Sequence, residues 1–176
     1  MKSLQSNKTL ILAFTFLMAL LYLGCGKRAT IDNINESKED LLKSLGLVNT
    51  KADETTEDIE SAYSQLKTFL DAKDLSDETI KKLETHLESI KAKSDALEGA
   101  LEKSEDNGSE LFSMLTSRAE ENQTYREKMV TSIEKKEEEF ESKIKAARKV
   151  MSKIEKSVQK YDDIVGFFQV NKALEG

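Results

Sequence analysis

From Ile31 onward the chain reads as three apolar stripes separated by two polar breaks. The first stripe is Ile31, Ile34, Leu41, Leu45, Val48, Ala52, Thr55, Ile59, Ala62, Leu66 and Phe69, with Lys38 in one slot. Steps of three and four place all of these on one face of a helix. Between Asn49 and Asp58 the core slots hold small or polar residues, and Gly46 lies just ahead. The stripe therefore fits one long helix with a weak centre, or two helices meeting near Asn49-Thr50. The second stripe is Ile80, Leu83, Leu87, Ile90, Ser94, Leu97 and Leu101. Its strict alternation of three and four is a 3.5-residue repeat, which predicts a seam against partner helices with left-handed supercoiling. Ser94 reads as a small residue tolerated in that seam.

The third stripe opens with Leu111, Phe112, Met114 and Leu115. It continues through Asn122, Tyr125, Met129, Ile133, Lys136, Phe140, Ile144, Ala147, Met151, Ile154, Val158, Tyr161, Val165 and Phe168. Two consecutive steps of four around Phe140 to Ile144 predict a stutter in the supercoil. The breaks lie at Asp71–Ser76 and Ser104–Ser109. In the first, Ser76 or Asp74 can cap the following helix, and Asp77 and Glu78 suit the positive end of its dipole. In the second, Asn107-Gly108 offers the backbone freedom of a reversal and Ser109 a cap. The expected architecture is all-α. Helices at about 31–70, 77–104 and 110–165 form an elongated up-down-up three-helix bundle, with coiled-coil-like heptad packing, across residues 31–176. The same stripes would also serve a coiled-coil homodimer.

Near the end, Ile164, Val165, Phe167, Phe168 and Val170 are too dense in apolar bulk for one stripe, and Gly166 would let the chain bend. Two readings fit: a C-terminal cap folded over the bundle end, or a partner patch built on Phe167 and Phe168, since aromatic residues are enriched in interface hot spots.

The pattern changes character at the other end. Lys2 and Lys8 form a basic head, Thr9 to Leu23 is a nearly unbroken apolar run, and Leu23-Gly24-Cys25 follows. A basic head, a short apolar core and a small residue before the cut describe an export signal. The run is shorter than the ~20 residues of a membrane-spanning helix. The placement of Cys25 directly after Gly24 resembles the lipobox of bacterial lipoproteins. Tyr22 and Leu23 depart from the usual Leu and small residue of that motif. Together with the Lys/Glu/Ser-rich, proline-free body, this relaxed lipobox resembles the Borrelia (spirochaetal) surface lipoproteins.

The resemblance implies cleavage between Gly24 and Cys25, with residues 1–24 removed as the signal peptide. It also implies a diacylglycerol on the Cys25 thiol and an acyl group, such as palmitate, on its new amino end. Residues 25–30 become the lipidated cysteine and a tether that holds the helices within about 20 Å of the membrane. The expected location is the outer membrane, at the cell surface. The implied role is contact with host proteins in adhesion, complement binding or immune evasion, with a periplasm-facing structural or scaffolding lipoprotein as the alternative.

Composition narrows the classes further. Removing 24 of the 176 residues leaves 152, and losing Lys2 and Lys8 takes the net charge of −6 to −8. An acidic body argues against nucleic acid, which calls for clustered Lys and Arg. Cys25 is the only cysteine, so no disulfide is possible within the chain. His86 is the only histidine, and it has no second ligand of its kind to build a metal site. Glu134-Lys-Lys-Glu-Glu-Glu139 reads as a solvated face, with Glu139 opposite Lys143 and Glu141 opposite Lys145 one turn on. No phosphate loop, nucleophile set or hydrolytic motif is present. The expectation is a protein that is not an enzyme and uses no cofactor and no metal. Its only chemically modified residue would be Cys25.

Overall fold

The computed structural model describes residues 30–72 and 76–175. The lipobox-like Leu23-Gly24-Cys25, the apolar run before it and the tether up to Ala29 lie outside the described residues. The described chain forms three helices: α1 (Ile31–Ala72), α2 (Asp77–Glu120) and α3 (Arg126–Glu175). With no proline anywhere in the chain, nothing forces a break inside any of them.

α1 is one continuous helix of 42 residues. Its weak centre holds because the hydroxyls there turn back onto the helix. Thr50 donates to the Gly46 carbonyl at 3.1 Å, Thr55 to that of Lys51 at 2.6 Å and Thr56 to that of Ala52 at 2.8 Å. Each polar side chain is thereby satisfied without leaving helical geometry. The first break behaves as anticipated at its downstream edge: Ser76 Oγ accepts from the Thr79 amide at 3.2 Å and caps α2.

The second break does not lie at 104–109. α2 runs through it for 44 residues and ends at Glu120. The reason lies across the helix. Ser104, Gly108 and Leu111 continue the three-four rhythm of Leu97 and Leu101, and all are buried. A Cβ at Gly108 would overlap the Phe140 ring of α3. Asn107 reaches the other way, donating to the Asp40 carbonyl at 3.1 Å and to Ser44 Oγ at 3.2 Å on α1. Small residues that locally favour a turn serve here as the close approach between helices. The reversal is at 121–125, where Asn122 Oδ1 accepts from the amides of Thr124 at 3.2 Å and Tyr125 at 3.0 Å. Leu111, Phe112 and Met114 therefore belong to α2. Asn122 is a turn residue and not a seam residue, Ser109 lies within α2 and not at a helix start, and α3 starts at Arg126 instead of 110.

Helices of 42, 44 and 50 residues span about 63, 66 and 75 Å. Their near-equal lengths let all three lie side by side. α2 is the central element. It packs most extensively against α1, then against α3, while α1 and α3 touch least. The directions follow from cross-helix pairs. Ser44 meets Asn107 and Asp58 meets Lys93, so α1 and α2 are antiparallel. Glu84 meets Gln169, Lys91 meets Asp162 and Glu105 meets Arg148, so α2 and α3 are antiparallel as well.

One continuous apolar core joins Val48–Leu66 of α1, Ile80–Leu101 of α2 and Met151–Phe168 of α3. Leu83, Leu101 and Tyr161 are fully excluded from solvent. Near the start of α1 the seam is shifted by one residue. Ser37 and Ser44 are buried where Lys38 and Leu45 were expected, and Lys38 is exposed. Ser44 faces the close approach made by Asn107, and the lysine stays in water. Tyr125 in the turn and Lys136 in α3 likewise face solvent, and Met129, Ile133 and Phe140 are only half-buried. α3 does not fold over the bundle end at Gly166 but continues as helix to Glu175.

Candidate functional sites

The distal end separates the two neighbouring phenylalanines. Phe168 is 2% exposed and joins the core, whereas Phe167 is 61% exposed. Val170 and Leu174 are exposed too, three and seven residues after Phe167. At about 100° per residue these three lie within ~60° of one another, on the side of α3 opposite Tyr161, Val165 and Phe168. The last turns of α3 thus carry two apolar faces, one in the core and one in water. Gln169 donates to Glu84 at 2.6 Å and Lys172 pairs with Asp77, which ties this tail to α2. The solvent-facing stripe therefore sits on a held helix. Leu70, also exposed, lies in the last turn of α1 at the same end of the bundle.

Just below, Tyr63 of α1 and Tyr161 of α3 meet edge-to-face, with centroids 5.5 Å apart and planes at 83°. Tyr63 donates to the Ser157 carbonyl at 2.9 Å. The Tyr161 hydroxyl is buried with no hydrogen-bond partner. Burial, and secondarily the facing Tyr63, push its pKa up to about 12. Burial also raises that of Tyr63. Neither group can supply a base near neutral pH, and the pair reads as packing.

Further toward the other end, α1 and α3 part and leave a cleft of about 440 Å³, open on one side. Leu45, Val48 and Ala52 of α1, Leu97 of α2, and Ile144 and Ala147 of α3 form its walls. Lys143 is the one charged side chain in the lining, and Asn49 its one neutral polar side chain. Arg148 and Glu105 form a two-pronged pair at 2.9 and 2.8 Å at this level of α2 and α3. That pairing raises the pKa of Arg148.

His86 is half-buried beside a notch of about 130 Å³ lined also by Asp58, Ser61, Gln65 and Ser89. Its Nδ1 has no partner among the described residues, and Asp58 is taken by Lys93 at 2.5 Å. Among the described residues no group of His, Asp and Glu is arranged to hold a metal. In the acidic run Glu139 bonds Lys136 at 2.7 Å, three residues back, instead of Lys143. Its carboxyl is held below the usual range by that bond and then by the same lysine's charge. Glu137 goes the other way, raised first by burial and then by Glu141 and Glu134. These opposite shifts come from a half-exposed helix face and do not form a paired acid and base.

Sequence reasoning named Phe167 and Phe168 together, and the structure divides them. It missed Leu174, whose i+7 spacing from Phe167 was legible, and the cleft, which no local pattern announces. Among the described residues no helix is long and apolar enough to cross a membrane. In comparisons with family models, with curated proteins and with solved structures, the chain matches none.

Proposed function

We propose that this chain is a lipid-anchored lipoprotein of the outer membrane, held by Cys25, whose helical body binds a protein partner and catalyses nothing. The observation that carries the binding role is the stripe Phe167, Val170 and Leu174, exposed on a held helix. It lies at the end of the bundle that α1 reaches about 63 Å from its start. An anchor attached ahead of Ile31 would thus stand the bundle on the membrane and carry the stripe away from it. Two or three acyl chains on one cysteine would make such attachment stable, where a single chain binds reversibly. The resemblance to spirochaetal surface lipoproteins supports contact with host proteins, in adhesion or complement and immune evasion.

Three experiments test the reading in order. A palmitate analogue should label the wild-type chain and not Cys25→Ala; label that persists in the variant removes the anchor. Protease added to intact cells should digest the protein. Protection until the outer membrane is opened would replace host contact with a periplasmic scaffolding role. Phe167→Ser should keep full helix content and lose capture of serum or matrix proteins. Capture unchanged by that substitution would move the site elsewhere.

A further inference from the structure

We propose that the cleft between α1 and α3 is a binding site for a single-chain anionic amphiphile such as a medium-chain fatty acid. Its volume of about 440 Å³ lies within the range of small-molecule sites, roughly 300–1,000 Å³. The lining is almost wholly aliphatic and contains no ring, which suits a saturated chain and not an aromatic ligand. The residues involved run from 45 to 52 on α1 and from 143 to 150 on α3, so the cleft is about 10 Å long.

The hollow has an identifiable cause. Ala147 lies two heptads before Tyr161 on the same stripe of α3. At Tyr161 the space between α1 and α3 is filled by two rings. At Ala147, opposite Ala52, two methyl groups leave it open.

Charge complementarity selects the head group. Lys143 is the only ion in the lining and is exposed at the mouth. Glu139, one turn back on its own helix, is bonded to Lys136, and the Lys143 charge acts on it only after that bond and the charges of Lys136 and Lys135. Among the described residues Lys143 has no ion pair. A carboxylate at Lys143, with the Asn49 amide also in the lining, leaves the alkyl chain against Val48, Leu97, Ile144 and Ala147. Two lysines or two acids at the rim would have argued for a different head.

The site is tested on the full chain reconstituted in vesicles, with a photo-crosslinkable decanoate. Saturable labelling should map to peptides containing 45–52 and 143–150, and free decanoate should compete it away. Each methylene removed from the competitor should weaken it about fourfold, the value for burying one CH2. Lys143→Glu should weaken decanoate by about tenfold or more and leave decanol unchanged. Ala147→Tyr fills the cleft with the chain's own solution from position 161 and should abolish labelling with helix content intact. Should Ala147→Tyr fail to fold, Ala52→Leu tests the same volume. Labelling spread along the chain, or unchanged in whichever of Ala147→Tyr and Ala52→Leu folds, overturns the site. Decanol competing as well as decanoate overturns the anionic head group.

Discussion

Single residues decide more here than their types suggest. Gly108 is the clearest case. Gly46 and Gly99 have open space where a Cβ would go, so replacing either by Ala should stabilise the helix by about 0.5–1 kcal/mol. Gly108→Ala should do the reverse and cost about 1–3 kcal/mol, because the methyl meets the Phe140 ring. Urea denaturation of the three variants checks this, and a stabilising Gly108→Ala would refute the close α2–α3 approach. Tyr161 gives a second case. Its buried hydroxyl has no partner, so Tyr161→Phe leaves no group unpaired and should be neutral or slightly stabilising, whereas Tyr161→Ala should cost about 3–5 kcal/mol. The raised pKa sets the sign of the pH dependence. The neutral phenol is favoured in the folded state, so its contribution is complete below about pH 10. It is lost as pH rises from there through about 12. Denaturant midpoints measured across that window should fall in the wild type and fall less in Tyr161→Phe.

At the scale of elements, the two reversals differ in how they announce themselves. The first was legible because Ser76, Asp77 and Glu78 form a complete helix start just ahead of a strong apolar stripe. The second was misplaced because Asn107-Gly108-Ser109 and Asn122-Gln123-Thr124 both carry turn chemistry, and local preference does not rank them. What ranks them is the neighbour: Phe140 needs the space at Gly108, and Ser44 accepts from Asn107. Asn122→Ala should therefore cost about 1 kcal/mol by freeing two amides of the turn, while Asn107→Ala should act through the α1–α2 contact. A double-mutant cycle with Ser44→Ala separates them: coupling is expected for Asn107 and none for Asn122.

Across the whole molecule, packing is uneven along the bundle axis. The continuous core takes in α3 only from Met151 onward, and Met129, Ile133 and Phe140 remain half-buried. Amide exchange should consequently be slowest in 83–101 and 151–168 and markedly faster in 126–140, where fewer buried contacts oppose local opening. Equal protection along α3 would contradict that gradient. The gradient also sets two candidate sites apart: the apolar stripe belongs to the tightly packed end, and the cleft begins where α1 and α3 separate.

The order of apolar and polar residues determined, by itself, the helical class, the run of the first two stripes and the capped start of α2. Those depend on periodicity and capping, which act within a few residues. It also carried the whole of the argument for Cys25. Tertiary structure decided the second reversal, the shift from Lys38 to Ser37 in the α1 seam, the continuation of α3 past Gly166, and the separation of Phe168 from Phe167. In each of these, local chemistry permitted two outcomes. The choice fell to which side chain another helix had room to bury.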